Sequence, residues 1–228
     1  MIKKGFTLAE VLITLGIIGV VAAMTMPTLI QSANDAKVGP ELATAVSTLS
    51  NAIDNYMQDN NATSVYQALT KAGNNSSSLT AEALINDLIG AGAGGKAYIK
   101  ATSTSSPGAS LKLTMADGGL NGQGAAMLLG NKSILAAETT DCAIAEGTDC
   151  GIIFYTSGWG KASKELITGK DVFKLIVRNN GEVLPYGVAG SGSGTTTTPD
   201  DDCKSGGDGT TCAGKIANAG WVKEDYDK

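Results

Sequence analysis

Lys3-Lys4-Gly5-Phe6-Thr7-Leu8-Ala9-Glu10 opens the chain, and from Phe6 to Met26 almost every residue is apolar. That run is 21 residues long. At about 1.5 Å per residue, a helix of this length matches a hydrocarbon core of about 30 Å. Lys3 and Lys4 hold the N-terminus on the cytoplasmic side, so the rest of the chain lies outside. Three readings compete. A secretory signal peptide explains the basic start and the small residues at Ala22 and Ala23, but the run is long for one and no Ala-x-Ala site closes it. An ordinary single-span anchor fits the length and gives Glu10 no purpose. A carboxylate at the centre of a span costs about 2.5–3.5 kcal/mol, and ionisable groups in such segments mark function. The third reading must explain Glu10.

Gly5-Phe6-Thr7-Leu8-Ala9-Glu10 followed by this apolar run resembles the processing site of type IV pilins and type II secretion pseudopilins. The resemblance implies cleavage between Gly5 and Phe6 by a prepilin peptidase, and N-methylation of the new terminus on Phe6. It also implies that Glu10 neutralises the terminal amine of a neighbouring subunit, and that Pro27 loosens the helix where the family usually carries a proline. Cleavage would remove Lys3 and Lys4 and create an ammonium on Phe6. In an apolar bundle that ammonium and the Glu10 carboxylate attract strongly, and either alone is costly. The resemblance is close over residues 1–30 and 169–187 and looser over 203–222. Gly169-Lys170-Asp171-Val172-Phe173 and Asn180-Gly181-Glu182-Val183-Leu184-Pro185-Tyr186-Gly187 look like the last strand pair of pseudopilin heads. Where many relatives carry an acidic turn before that pair, this chain reads Gly158-Trp159-Gly160-Lys161.

Past the apolar run, Leu42, Val46, Leu49, Ile53 and Tyr56 recur at steps of four and three, one stripe of an amphipathic helix. Pro27 and Gly39-Pro40 are expected to kink or break the helical line. Ser64 to Lys71 reads as a short helix, and Thr80 as the N-cap of another that ends at Gly90. Leu111 to Met115, Ala125 to Leu129, Gly151 to Thr156 and Val172 to Val177 read as strands. Asn179-Asn180-Gly181 turns the chain into a further strand at Glu182 to Leu184. The expected fold is α+β: a long N-terminal helix, membrane-spanning then amphipathic, packed on a small antiparallel β-sheet head. The expected divisions are a leader at 1–5, the helix at 6–60 with its membrane and assembly half at 6–30, and a head at 61–228.

The 228 residues include no histidine, which removes Ser-His and Cys-His nucleophile pairs, a His general base and His-containing zinc sites. The net charge of −5 offers no field for a phosphate backbone, so nucleic-acid binding is disfavoured. An enzyme is not expected. Cys142, Cys150, Cys203 and Cys212 form no Cys-x-x-Cys pair. Their short separations favour the disulfides Cys142–Cys150 and Cys203–Cys212, and so an oxidising compartment. Asp200, Asp201, Asp202 and Asp208 offer hard oxygen ligands that would suit calcium, against the plainer reading of a solvated acidic loop. No other cofactor is implied. Gly187 to Pro199 reads as a low-complexity surface loop whose Thr195 to Thr198 could carry glycans. Trp159 and Trp221 read as core or cap residues.

The expected function is that of a structural subunit, single-pass in the inner membrane with a cytoplasmic N-terminus before assembly. It would then polymerise into a cell-surface pilus or a periplasmic pseudopilus. The implied partners are further copies, the prepilin peptidase, the membrane and an inner-membrane assembly platform. The alternative is a membrane-tethered exported binding protein that keeps Lys3 and Lys4 and does not polymerise.

Overall fold

The computed structural model describes residues 7–74, 79–92, 95–100, 122–138, 149–157, 166–191, 202–203 and 207–223. The chain divides into two compact units, Met1–Lys37 and Val38–Lys228. Helix α1 spans Leu8–Asp59. In the first unit it exposes a continuous apolar surface, including Leu12, Leu15, Ile18 and Val21. The hydroxyls of Thr14, Thr25 and Thr28 donate to the carbonyls of Val11, Val21 and Thr25 at 3.0, 3.0 and 2.9 Å. Their polar groups are thereby satisfied within the helix, as an apolar medium demands.

Helical structure continues through Pro27 and through Gly39-Pro40, so neither breaks the helix. Each proline removes one donor from the ladder, and the flanking turns keep theirs. Gly39 has another reason to be glycine. A Cβ there would lie 1.8 Å from the carbonyl oxygen of Trp221, so the C-terminal segment crosses α1 at backbone contact. Gly39→Ala is therefore expected to destabilise the head by about 1–2 kcal/mol. Overpacking against backbone here outweighs the ~1 kcal/mol that alanine normally gains over glycine in a helix. Chemical denaturation of the two chains side by side measures it, and a more stable variant would refute the contact.

In the second unit α1 buries Val38, Leu42, Ala45, Leu49, Ile53 and Tyr56. Val46 is only partly buried, and Ala45 takes the central place on the stripe. This face packs on a five-stranded antiparallel sheet in the order β1-β2-β3-β4-β5. The strands are β1 (Gly122–Leu128), β2 (Ile134–Glu138), β3 (Cys150–Tyr155), β4 (Val172–Val177) and β5 (Val183–Pro185). Phe154 pairs with Phe173 across β3 and β4, and both belong to the core shared with α1. The opposite face carries a second buried cluster that includes Ile134, Ile153, Tyr155 and Val172. β3 is thus buried along its whole length, which is why it reads as an unbroken apolar run.

Two short helices complete the α1 side. In α2 (Val65–Lys71) Ser64 is the N-cap, its hydroxyl accepting from the Gln67 N–H, and Asn179 of the β4–β5 turn accepts from the N–H groups of Val65 and Tyr66. In α3 (Ala81–Leu88) Thr80 is the N-cap, and Gly90 follows the helix at φ +77°. The Tyr56 hydroxyl donates to buried Asp87 Oδ2 at 2.6 Å, joining α1 to α3. Burial and then this hydrogen bond push the Tyr56 hydroxyl far up. Burial and the Asp59 carboxylate push Tyr98 up to about 12. The expected strand at Leu111 to Met115 lies outside the described residues.

Candidate assembly and processing site

Gly5 and Phe6 lie outside the described residues, which begin at Thr7. Thr7 immediately precedes α1, and Glu10 is the third residue of the helix. The Thr7 backbone N–H and hydroxyl each donate to Glu10 Oε2 at 2.8 Å. In return the Glu10 N–H donates to Thr7 Oγ1 at 3.3 Å. This is a reciprocal capping box, which satisfies two of the donors that a helix start leaves without intrahelical partners. Its signature, Thr7-x-x-Glu10, stands in the sequence. Glu10 is exposed here, at the head of an apolar helical surface. Pro27 lies within that helix.

The other end of the chain is closed by a disulfide. Cys203 and Cys212 are bonded with their Cα atoms 5.4 Å apart, and both are fully buried. Cys212 starts helix α4 (Cys212–Asn218). That helix sits at backbone contact on the β5 end: the Gly214 N–H donates to the Tyr186 carbonyl at 2.8 Å, and a Cβ on Gly214 would lie 2.4 Å from the carbonyl carbon of Gly187. The glycine at 214 is thus explained by this contact, and Gly187 itself has φ +104° with a Cβ there lying 2.6 Å from the Thr211 carbonyl oxygen. Cys150 is also held in a disulfide, and Cys142 lies outside the described residues.

Asp202 is built into the backbone of this loop. Its Oδ1 accepts from the N–H groups of Asp208 and Gly209 at 3.1 and 3.2 Å. Its Oδ2 accepts from the Thr211 N–H and hydroxyl, both at 2.7 Å. Burial alone would raise its pKa, but hydrogen bonds from Asp208, Thr211 and Gly209 overcome that and hold the carboxyl well below the usual range. Asp208 Oδ1 accepts from the Thr210 N–H at 2.9 Å and hydroxyl at 2.8 Å. Both carboxylate oxygens of Asp202 are thus tied to the loop's own backbone. Among the described residues no group of three carboxylates, cysteines or histidines is placed to hold a metal ion. Asp200, Asp201, Trp159 and Thr195 to Thr198 lie outside those residues. Trp221 is half-buried, with φ +65°, and its N–H donates to the Ile216 carbonyl at 2.9 Å.

Residues 1–26 match the family model for the prokaryotic N-terminal methylation motif. The match covers the N-terminal segment alone and supports its resemblance to prepilin-type N-termini. No curated protein and no solved structure matches the chain. An apolar helix long enough to cross a membrane, under that motif, is the mark of a membrane-anchored single-pass protein.

Proposed function

We propose that this chain is a prepilin-like structural subunit, cleaved between Gly5 and Phe6, methylated on Phe6 and polymerised into a helical filament. The observation that carries this reading is Gly5-Phe6-Thr7-Leu8-Ala9-Glu10 leading into an exposed apolar helix. A lone apolar face in water is unfavourable by about 25 cal/mol per Å². Lipid covers it before assembly, and the apolar helices of other copies cover it in a filament. The role is structural. Its partners are further copies, a prepilin peptidase and an inner-membrane assembly platform. The filament is a surface pilus or a periplasmic pseudopilus, and the same N-terminal chemistry serves both.

Intact-mass measurement of the protein from its host tests the reading. The expected mass begins at Phe6 and carries one methyl group. Replacing Gly5 by a bulkier residue is expected to leave the chain membrane-inserted at its unprocessed mass, because the peptidase must accommodate the small residue at the cleaved bond. A wild-type mass that retains Lys3 and Lys4 would leave a tethered, non-polymerising protein. Normal processing of the Gly5 variant would move the cleavage site elsewhere.

A further inference from the structure

Four Asn-x-Ser/Thr sequons occur in the chain: Asn61-Ala62-Thr63, Asn74-Asn75-Ser76, Asn75-Ser76-Ser77 and Asn131-Lys132-Ser133. In an exported domain this tripeptide is the acceptor for N-linked saccharide. The carboxamide nitrogen is a weak nucleophile because its lone pair is delocalised into the carbonyl. A transferase must therefore grip both the carboxamide and the hydroxyl two residues on, so both must be reachable.

The structure separates the candidates on that criterion. Asn74 is half-buried, and its Nδ2 donates to the Leu69 carbonyl at 3.2 Å and to Asp87 Oδ2 at 2.8 Å. Its reactive nitrogen is occupied. Asn131 is exposed, but Ser133 is fully buried, and both its N–H and hydroxyl donate to Asn131 Oδ1 at 3.0 and 2.6 Å. Its hydroxyl is out of reach. Asn75 lies outside the described residues. Asn61 and Thr63 are both exposed. The Thr63 hydroxyl donates at 3.0 Å to Gln67 Oε1, itself on an exposed side chain that an enzyme can displace.

Asn61 sits at a tight, outward-facing turn. Its N–H donates to the Gln58 carbonyl at 3.0 Å and the Ala62 N–H to the Met57 carbonyl at 2.9 Å, the two bonds of a Schellman motif ending α1. Asn61 is the left-handed residue of that motif, at φ +46°. Helix termination accounts for an asparagine at this place. It does not account for an exposed hydroxyl two residues later.

We propose that Asn61 is an N-glycosylation acceptor. The donor class is a lipid-pyrophosphate-linked saccharide. Asn61 Nδ2 bonds to the anomeric carbon, the carbon–oxygen bond to the pyrophosphate breaks, the lipid pyrophosphate departs with that electron pair, and one Nδ2 proton leaves to a base of the transferase. The proposal rests on the reading that the chain beyond the apolar helix lies outside the cytoplasm.

The test is mass mapping of peptide 38–71, which trypsin releases after Lys37 and Lys71, from protein made in its native host. The expected result is a mass raised by a saccharide. The shift should vanish completely in Asn61→Gly and Thr63→Val and persist in Thr63→Ser and Asn131→Gln. Asn61→Gly is the decisive variant, because glycine suits a left-handed helix end and leaves folding intact. An unshifted wild-type peptide with Cys203–Cys212 oxidised overturns this proposal and leaves export standing. An unshifted peptide with free thiols overturns both. A shift retained in Asn61→Gly overturns the assignment to this residue.

Discussion

Glu10→Gln is expected to abolish filament growth while leaving normal amounts of cleaved monomer in the membrane. The capping box makes this substitution sharper than a change to leucine. Glutamine at the third helical position still accepts from the Thr7 N–H and hydroxyl, so the helix start is preserved. Only the charge is lost. In the proposed filament the Phe6 ammonium of an incoming subunit would then be buried without its counter-charge, and breaking a buried pair from one side costs about 3–5 kcal/mol. At about 1.4 kcal/mol per decade, subunit addition weakens by two to three orders of magnitude. Thr7→Ala is the converse variant. It loses the hydroxyl's part in the box, costing about 1 kcal/mol at a helix start, and keeps the carboxylate. It should still polymerise. The measurement is filament yield beside cleaved-monomer abundance, in cells without wild-type subunits. Normal filaments from Glu10→Gln would sink the charge-pairing mechanism. Failure of Thr7→Ala with success of Glu10→Gln would assign Glu10 to capping alone.

Local signals were legible in the sequence, and signals that depend on what a group faces were not. Thr80 and Gly90 could be read as helix ends because capping is settled within a few residues. β4 and the turn at Asn179-Asn180-Gly181 were legible for the same reason. β2 was missed. Ile134-Leu135-Ala136-Ala137-Glu138 is apolar on both faces and has no period-two alternation to betray a strand. Gly39-Pro40 was legible only as a place to kink or break the helix, and nothing in the sequence announces that Gly39 receives the Trp221 carbonyl from 182 positions away. Glu10 stood out as a carboxylate in an apolar run, whereas its hydrogen-bonding partner Thr7 did not. Asp202 was the most instructive case. An aspartate count suggests a cation, but whether carboxylate oxygens face a cation or a ring of N–H groups is decided by the path of the backbone around them.

Asp202→Asn is expected to lower the stability of the head by about 3 kcal/mol. The carboxylate holds the segment Asp208 to Thr211 against the start of α4 through three backbone N–H groups and a hydroxyl. An asparagine keeps one acceptor and turns a donor toward others, leaving buried N–H groups unpaired at about 1–3 kcal/mol each. For a domain of this size the midpoint should fall by about 6–12 °C. The pH dependence carries the sign of a depressed carboxyl. The folded-state pKa lies below the ordinary 3.8, so the contribution is fully present above that value and disappears as pH falls through the lower, folded-state one. Wild type and Asp202→Asn should therefore differ by a constant amount from about pH 7 to 5 and converge in acid below about 4. Thermal unfolding of the full chain in detergent, with the Cys203–Cys212 bond oxidised in both proteins, gives the comparison. A gap that widens in acid would mean that Asp202 is neutral in the folded head. A midpoint that rises with added calcium in wild type, and not in the variant, would return Asp202 to the cation role its neighbours in sequence suggest.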